Sequence, residues 1–143
     1  LSPIRGRLEL LCDYVKNTTR DGKRMRDDPV IRQRIAQLDT ECEVARVLGV
    51  KFVDAALNSS KTPTAEASEY KLYATELSRR IADATMDIVG PGAQLALGTA
   101  DGPLKGRPES CYTYPVIDTI GGGSSEVQKN IIATRKLGLP RNF

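Results

Sequence analysis

One run in this chain leaves little choice of architecture. From Asp28-Pro29 onward, Ile31, Ile35, Leu38, Cys42, Ala45, Gly49, Phe52 and Ala56 recur at alternating steps of four and three. That spacing lays one apolar seam along a long helix and asks for another helix to cover it. The start is marked as well: an aspartate can accept the orphan N–H groups of the first turn, and proline at the first helical position gives up an N–H that would have no partner. The run ends near Asn58-Ser59-Ser60.

The same device opens two more segments, at Ser2-Pro3 and Thr62-Pro63. The first predicts a helix to about Arg20, with Ile4, Leu8, Leu11 and Val15 on one face and Gly22 beyond it. The other carries Tyr70, Tyr73, Leu77, Ile81, Ala84 and Ile88 and stops at Gly90-Pro91. At a rise of about 1.5 Å per residue, the second and third helices would each be roughly 40 Å long. Long helices joined by short polar links favour antiparallel neighbours. No period-two strand pattern of any length is present. The fold class predicted is all-α, an up-and-down four-helix bundle.

The last helix of that bundle is read from Ile120 to Phe143. Gly121, Gly122 and Gly123 let the backbone turn sharply or approach a ligand closely. Ser125 with Gln128 fits a capping box. Val127, Ile131 and Ile132 follow at helical spacing, Arg135 and Lys136 suit the last turn, and Gly138 with Pro140 ends the helix. A plain tight turn before a packed helix satisfies the same residues. Between the third and fourth helices, residues 91–119 hold Gly92, Gly98, Gly102 and Gly106 with Pro103, Pro108 and Pro115 and no sustained period. A long loop is expected there, with at most a single turn of helix. It is either a functional loop or a surface excursion.

Composition narrows the chemistry. The chain has 143 residues, enough for one domain with a real core, and is 40% apolar and 27% charged. A net charge of +3 does not argue for nucleic acid. Tyr70, Tyr73, Tyr112 and Tyr114 could stack on bases, yet the first two fit the bundle seam better. No apolar run has the length of a membrane span. Histidine is absent, which removes Ser-His-Asp and Cys-His catalysis and makes an intrinsic zinc site unexpected. Cys12, Cys42 and Cys111 are read as buried or idle thiols in a reducing, cytoplasmic setting. A basic cluster of Lys16, Arg20, Lys23, Arg24, Arg26, Arg32 and Arg34 is interleaved with Asp21, Asp27 and Asp28. It is either a solvated corner or a phosphate-binding one. The start at Leu1 rather than Met leads us to expect a fragment of something longer.

The string Gly123-Ser124-Ser125-Glu126-Val127-Gln128-Lys129-Asn130-Ile131-Ile132, closed by Leu137 to Arg141, resembles the C-terminal signature of the acyl-CoA dehydrogenase family. The entry to the second helix, from Asp27 to Ala36, resembles one bacterial branch. The third helix ends in a family-like way, from Ile81-Ala82-Asp83-Ala84 to Gly90-Pro91-Gly92. The resemblance covers the whole chain, residues 1–143, as a single helical-bundle domain at the C-terminal end of a larger flavoenzyme. It implies α,β-dehydrogenation of acyl-CoA thioesters with FAD in the full-length assembly. Family enzymes take the α-proton with a glutamate while the β-hydrogen leaves as hydride to the flavin. They associate as homo-oligomers or with a heteromeric dehydrogenase partner.

Carried over residue by residue, the resemblance implies substrate contact at Gly122 and cofactor contact at Gly90, Gly123, Ser124 and Glu126. It also implies a gap. In one branch the catalytic base immediately precedes the Gly-Thr/Ser pair, and Gly122 stands there. In another it lies early in the first helix of this domain, which by spacing falls before Leu1. No catalytic residue is therefore assigned in the chain, although Gly122 can still offer its backbone N–H to a thioester carbonyl. Thr18 stands where an arginine would meet a neighbouring subunit's flavin, and Asp87 where a glutamine would. These departures suit a domain that is inert alone, or the non-catalytic subunit of a heteromeric dehydrogenase for steroid-CoA substrates. A helical adaptor binding phosphate-bearing ligands at the basic corner is the reading from a different class.

Overall fold

The computed structural model describes residues 2–140. Its order is α1 (Ser2–Asn17), a two-stranded hairpin of β1 (Thr19–Arg20) and β2 (Lys23–Arg24), α2 (Pro29–Asn58), α3 (Thr64–Val89), α4 (Arg107–Asp118) and α5 (Ser125–Arg135), with short 3-10 turns between them. The all-α class holds. Asp28 caps α2 as expected, its carboxylate accepting from the amides of Val30 at 2.8 Å and Ile31 at 3.1 Å. Gly138 has φ +68 just past α5. Arg141, the last residue of the signature string, lies outside the described residues.

The predicted boundaries differ at three places. Helix α1 stops at Asn17 rather than near Arg20, because Asp21 and Gly22 both take positive φ (+51 and +74). Two such residues in succession make the turn of a two-residue hairpin, and Thr19 pairs with Arg24 and Arg20 with Lys23. Helix α3 begins at Thr64, with Pro63 in the cap position and no side-chain cap bond, so Thr62 does not cap it. Within the expected loop, α4 is a helix of 12 residues. Pro108 lies in its first turn, where no N–H bond is lost. Pro115 does give one up inside the helix, but both prolines are buried and α4 packs on α3. Tertiary burial overrides the composition there.

Helix α3 is the central post, touching α1, α2, α4 and α5. Its expected seam residues Leu77, Ile81, Ala84 and Ile88 are buried. So is a second face made of Ala74, Ser78, Ala82, Thr85 and Val89. Small side chains on that face let neighbouring helices come close. Its polar members are satisfied: Ser78 accepts from Arg7, and the Thr85 hydroxyl donates to the Ile81 carbonyl. Leu8 of α1, Leu38, Cys42 and Ala45 of α2, and Leu77 and Ile81 of α3 form one core cluster. Leu11, Val15, Met25, Ile88 and Val89 form a second at the far end of α3. Burial pushes the Cys42 and Cys12 thiols up from their ordinary value, as befits inert cysteines.

Candidate functional site

The glycine loop is anchored to α3 and to the helix that follows it. Gly121 donates to the Ile117 carbonyl at 2.8 Å and Gly123 to the Ile120 carbonyl at 3.1 Å, so those two amides belong to the turn. The N–H of Gly122 has no acceptor among the described residues. Gly122 is exposed, with φ +71, and a Cβ placed there would meet nothing within 4 Å. Among the described residues the Gly122 amide is thus a free backbone donor, as are those of Ser124 and Ser125 at the start of α5.

Two side chains hold the carbonyls from below. Gln128, 5% exposed, donates through Nε2 to the Gly122 carbonyl at 2.9 Å and to that of Gly123 at 3.4 Å. Lys71, in the N-terminal half of α3, donates its ammonium to the Gly123 carbonyl. Gln128 thus does not serve as a capping-box partner. Ser124, not Ser125, occupies the N-cap: its backbone is extended (φ −63, ψ 166) and its hydroxyl oxygen accepts from the Val127 amide at 3.5 Å. The slip of one residue follows from Gly123, whose φ of +101 ends the turn and leaves Ser124 at the helix threshold. The Ser124 hydroxyl donates to the Glu126 carboxylate at 2.7 Å. That bond, with the Glu126 backbone amide, holds the carboxyl below its ordinary value of 4.5.

Gly122, Gly123, Ser124 and Glu126 are thus brought together, and Gly90 is not among them. About 27 Å of helix axis separates Lys71 from Val89 at a rise of 1.5 Å per residue. Gly90 (φ +82) lies at the other end of α3, beside the hairpin. There Arg20 donates to the carbonyls of Ile88 at 2.5 Å and Val89 at 3.3 Å. A cation on the last carbonyls of a helix is stabilised by the helix dipole. Thr18 spends its backbone carbonyl on the Met25 amide, and Arg20 is the cation that reaches Gly90. The basic corner around it is partly neutralised, since Arg24 is paired with Asp27 at 2.7 Å.

A family model described as "Acyl-CoA dehydrogenase, C-terminal domain" matches residues 1–137. The chain belongs to the acyl-CoA dehydrogenase family. Among curated relatives, this acyl-CoA dehydrogenase domain is 30% identical to Acyl-CoA dehydrogenase FadE26 of Mycobacterium tuberculosis over 144 residues, covering 98% of the chain and 36% of that relative. It is 34% identical to Acyl-CoA dehydrogenase IpdE1 of the same organism over 116 residues, 80% of the chain and 28% of the relative. Among solved structures it is similar to the ChsE4-ChsE5 complex from Mycobacterium tuberculosis, with a TM-score of 0.87 and 30% identity, over 99% of this chain and 36% of that one. The chain thus spans about a third of the length of the relatives it matches.

Lys71 and Gln128 are the residues that sequence reading missed. Gln128 looked like half of a capping box. Lys71 reads as one more cation on a helix, with a partner 52 positions away in sequence.

Proposed function

We propose that this chain is the C-terminal domain of an FAD-dependent acyl-CoA dehydrogenase, and that it supplies a carbonyl-binding donor but no base. The observation that carries the reading is that Gly122, which by the family resemblance falls at the base position, is solvent-open and has no acceptor for its N–H among the described residues. Removing an α-proton from a thioester puts charge on the carbonyl oxygen, and a fixed N–H aimed at that oxygen lowers the barrier. A glycine cannot take the proton, so the glutamate comes from another part of the full-length protein or from a partner chain. FAD, when bound, supplies the hydride acceptor.

The residues present fit that cofactor in part. At the end of α3, Gly90 lets backbone approach closely, but the Arg20 guanidinium is already bonded to the Ile88 and Val89 carbonyls and Asp87 stands in the same last turn, which disfavours an anionic group. Gly123 and Ser124, next to the ionised Glu126, suit an uncharged polar portion. Because the two places lie at opposite ends of α3, we assign Gly90 to the flavin of a neighbouring subunit.

A heteromeric assembly acting on steroid-CoA thioesters is favoured over a homo-oligomer. Two of the similar solved structures are named as pairs, ChsE4-ChsE5 and the Tcur3481-Tcur3483 steroid ACAD, the latter with 25% identity and a TM-score of 0.84 over 97% of this chain. The surface offered to the partner subunit is the outer side of α2, where Val47, Val50, Val53 and Leu57 are exposed. Among the described residues no helix is long and apolar enough to cross a membrane, and a cytoplasmic enzyme is the setting proposed. The adaptor reading has no observation of its own.

The test is acyl-CoA-dependent dye reduction by the full-length protein with and without its partner, using steroid-CoA and fatty acyl-CoA thioesters. Activity is expected from the pair, with flavin bound. Dye reduction by the 143-residue chain alone would overturn the reading.

A further inference from the structure

The glycine turn holds one unbonded peptide between two fully bonded ones. In the Ile120–Gly121 peptide, the Gly121 amide donates to the Ile117 carbonyl at 2.8 Å and the Ile120 carbonyl accepts from Gly123 at 3.1 Å. In the Gly122–Gly123 peptide, the Gly123 amide makes that same bond to Ile120, and the Gly122 carbonyl accepts from Gln128 Nε2 at 2.9 Å. Between them, neither the Gly121 carbonyl nor the Gly122 amide has a partner among the described residues.

The bond from Gly123 to Ile120 closes a four-residue turn with Gly121 and Gly122 at its centre. Gly122 has φ +71 and Gly121 is not among the glycines of positive φ, which matches the φ signs of a type II turn. Turning the central peptide over converts such a turn to type I, with a negative φ at Gly122, and leaves the flanking peptides in place. The rotation is shared by ψ of Gly121 and φ of Gly122, and glycine tolerates both settings. It breaks no hydrogen bond among the described residues, and a Cβ built at the exposed Gly122 meets nothing within 4 Å. In a planar trans peptide the N–H and C=O point opposite ways. One position therefore offers a donor where the other offers an acceptor.

We propose that the Gly121–Gly122 peptide is a two-position donor, and that negative charge on a bound thioester carbonyl selects the position in which the Gly122 N–H faces it. The proposal rests on the reading of Gly122 as the carbonyl contact. The position of positive φ is assigned as the donor position. A hydrogen bond to a neutral thioester oxygen shifts the balance by a few fold, and one to the oxyanion formed as the α-proton leaves shifts it roughly 10–100-fold. The donor is held hardest when the charge is greatest, which favours the transition state over the bound substrate.

The experiment uses the full-length protein assembled with its partner and loaded with FAD. A synthetic segment 111–143 is ligated at Cys111 to give wild type, Gly122→Ala, and the mirror-image variant with D-alanine at position 122. The probe is a 3-ketoacyl-CoA, whose acidic α-carbon lets it bind as an enolate. Strain present in both free and bound protein cancels in Kd; only a second position open to the free protein turns it into weaker binding. L-alanine disfavours positive φ and D-alanine favours it, so Gly122→Ala should bind the probe about tenfold more weakly than the D-alanine variant. An alkyl-CoA thioether, which has no carbonyl, should bind the two alike. In wild type, hydrogen exchange of overlapping peptides across residues 119–126 should show the Gly122 amide protected at saturating probe. Protection with equal probe affinities for the two alanine variants would overturn the proposal and leave the carbonyl contact standing. So would an equal loss with the thioether, which would mean that the methyl group crowds the ligand. Absence of protection at saturation would refute the carbonyl contact itself. If the ligated chains fail to assemble, Gly122→Asn, which tolerates positive φ, and Gly122→Val, which does not, carry the contrast. Val is then expected to bind the probe at least about fivefold more weakly than Asn, and equal Kd values would overturn the proposal.

Discussion

Gly123→Ala tests the loop most sharply, because its neighbour provides a control. At both Gly122 and Gly123 the backbone has a positive φ that L side chains rarely adopt. At Gly122 that strain is the whole effect, since the new Cβ enters open space, and the cost is about 1 kcal/mol. At Gly123 the Cβ would lie 2.7 Å from Gln128 Nε2 and 3.3 Å from Val127 Cγ1. Gln128 is buried and cannot move outward without giving up its bonds to the two glycine carbonyls. Displacing it leaves a buried amide short of acceptors, at a cost of about 1–3 kcal/mol on top of the strain. The sum is roughly 3 kcal/mol, a large share of the 5–15 kcal/mol typical of a whole domain. Urea unfolding of the 143-residue chain measures it. With a slope of about 2 kcal/mol per molar, the midpoint should fall about 0.5 M for Gly122→Ala and about 1.5 M for Gly123→Ala. Equal midpoints for the two variants would refute the reasoning, since they would mean that Gln128 does not brace the loop.

Asp28→Ala removes both cap bonds to α2 and should cost about 1 kcal/mol in the same unfolding assay. Ile81→Ala empties a fully buried position in the centre of the bundle and should cost about 2–5 kcal/mol. The depressed Glu126 carboxyl contributes stability that is present above its ordinary value of 4.5 and is lost as pH falls through its lower folded value. Glu126→Gln should therefore be less stable than wild type at neutral pH, with the gap closing on acidification; a gap that stays constant from pH 7 to pH 3 would contradict this. Val53→Asp puts a charge on the outer side of α2, where Val53 is 52% exposed; it should leave the chain folded by circular dichroism but abolish co-purification with the partner subunit.

Much of the architecture could be read directly because it is written in local chemistry. Asp28 and Pro29 mark a helix start through groups one to three residues away, and the seam of α2 needs only the helical period to be seen. The glycine loop and its helix were recognisable for the same reason. What escaped was decided by contacts between distant segments. Helix α4 forms although its prolines argue against it, because α3 gives them a buried face. The second packed side of α3 is made of Ala, Ser and Thr, residues that carry no apolar signal until a neighbouring helix closes on them. At the site, the sequence determined that Gly122 has no side chain to act as a base and that the backbone there is free to turn. It did not determine what braces the turn. A buried Gln128 and Lys71, reaching across from α3, hold the carbonyls of Gly122 and Gly123. Whether Gly90 shares a site with Gly122 was likewise a question of distance, and the length of α3 places them at opposite ends.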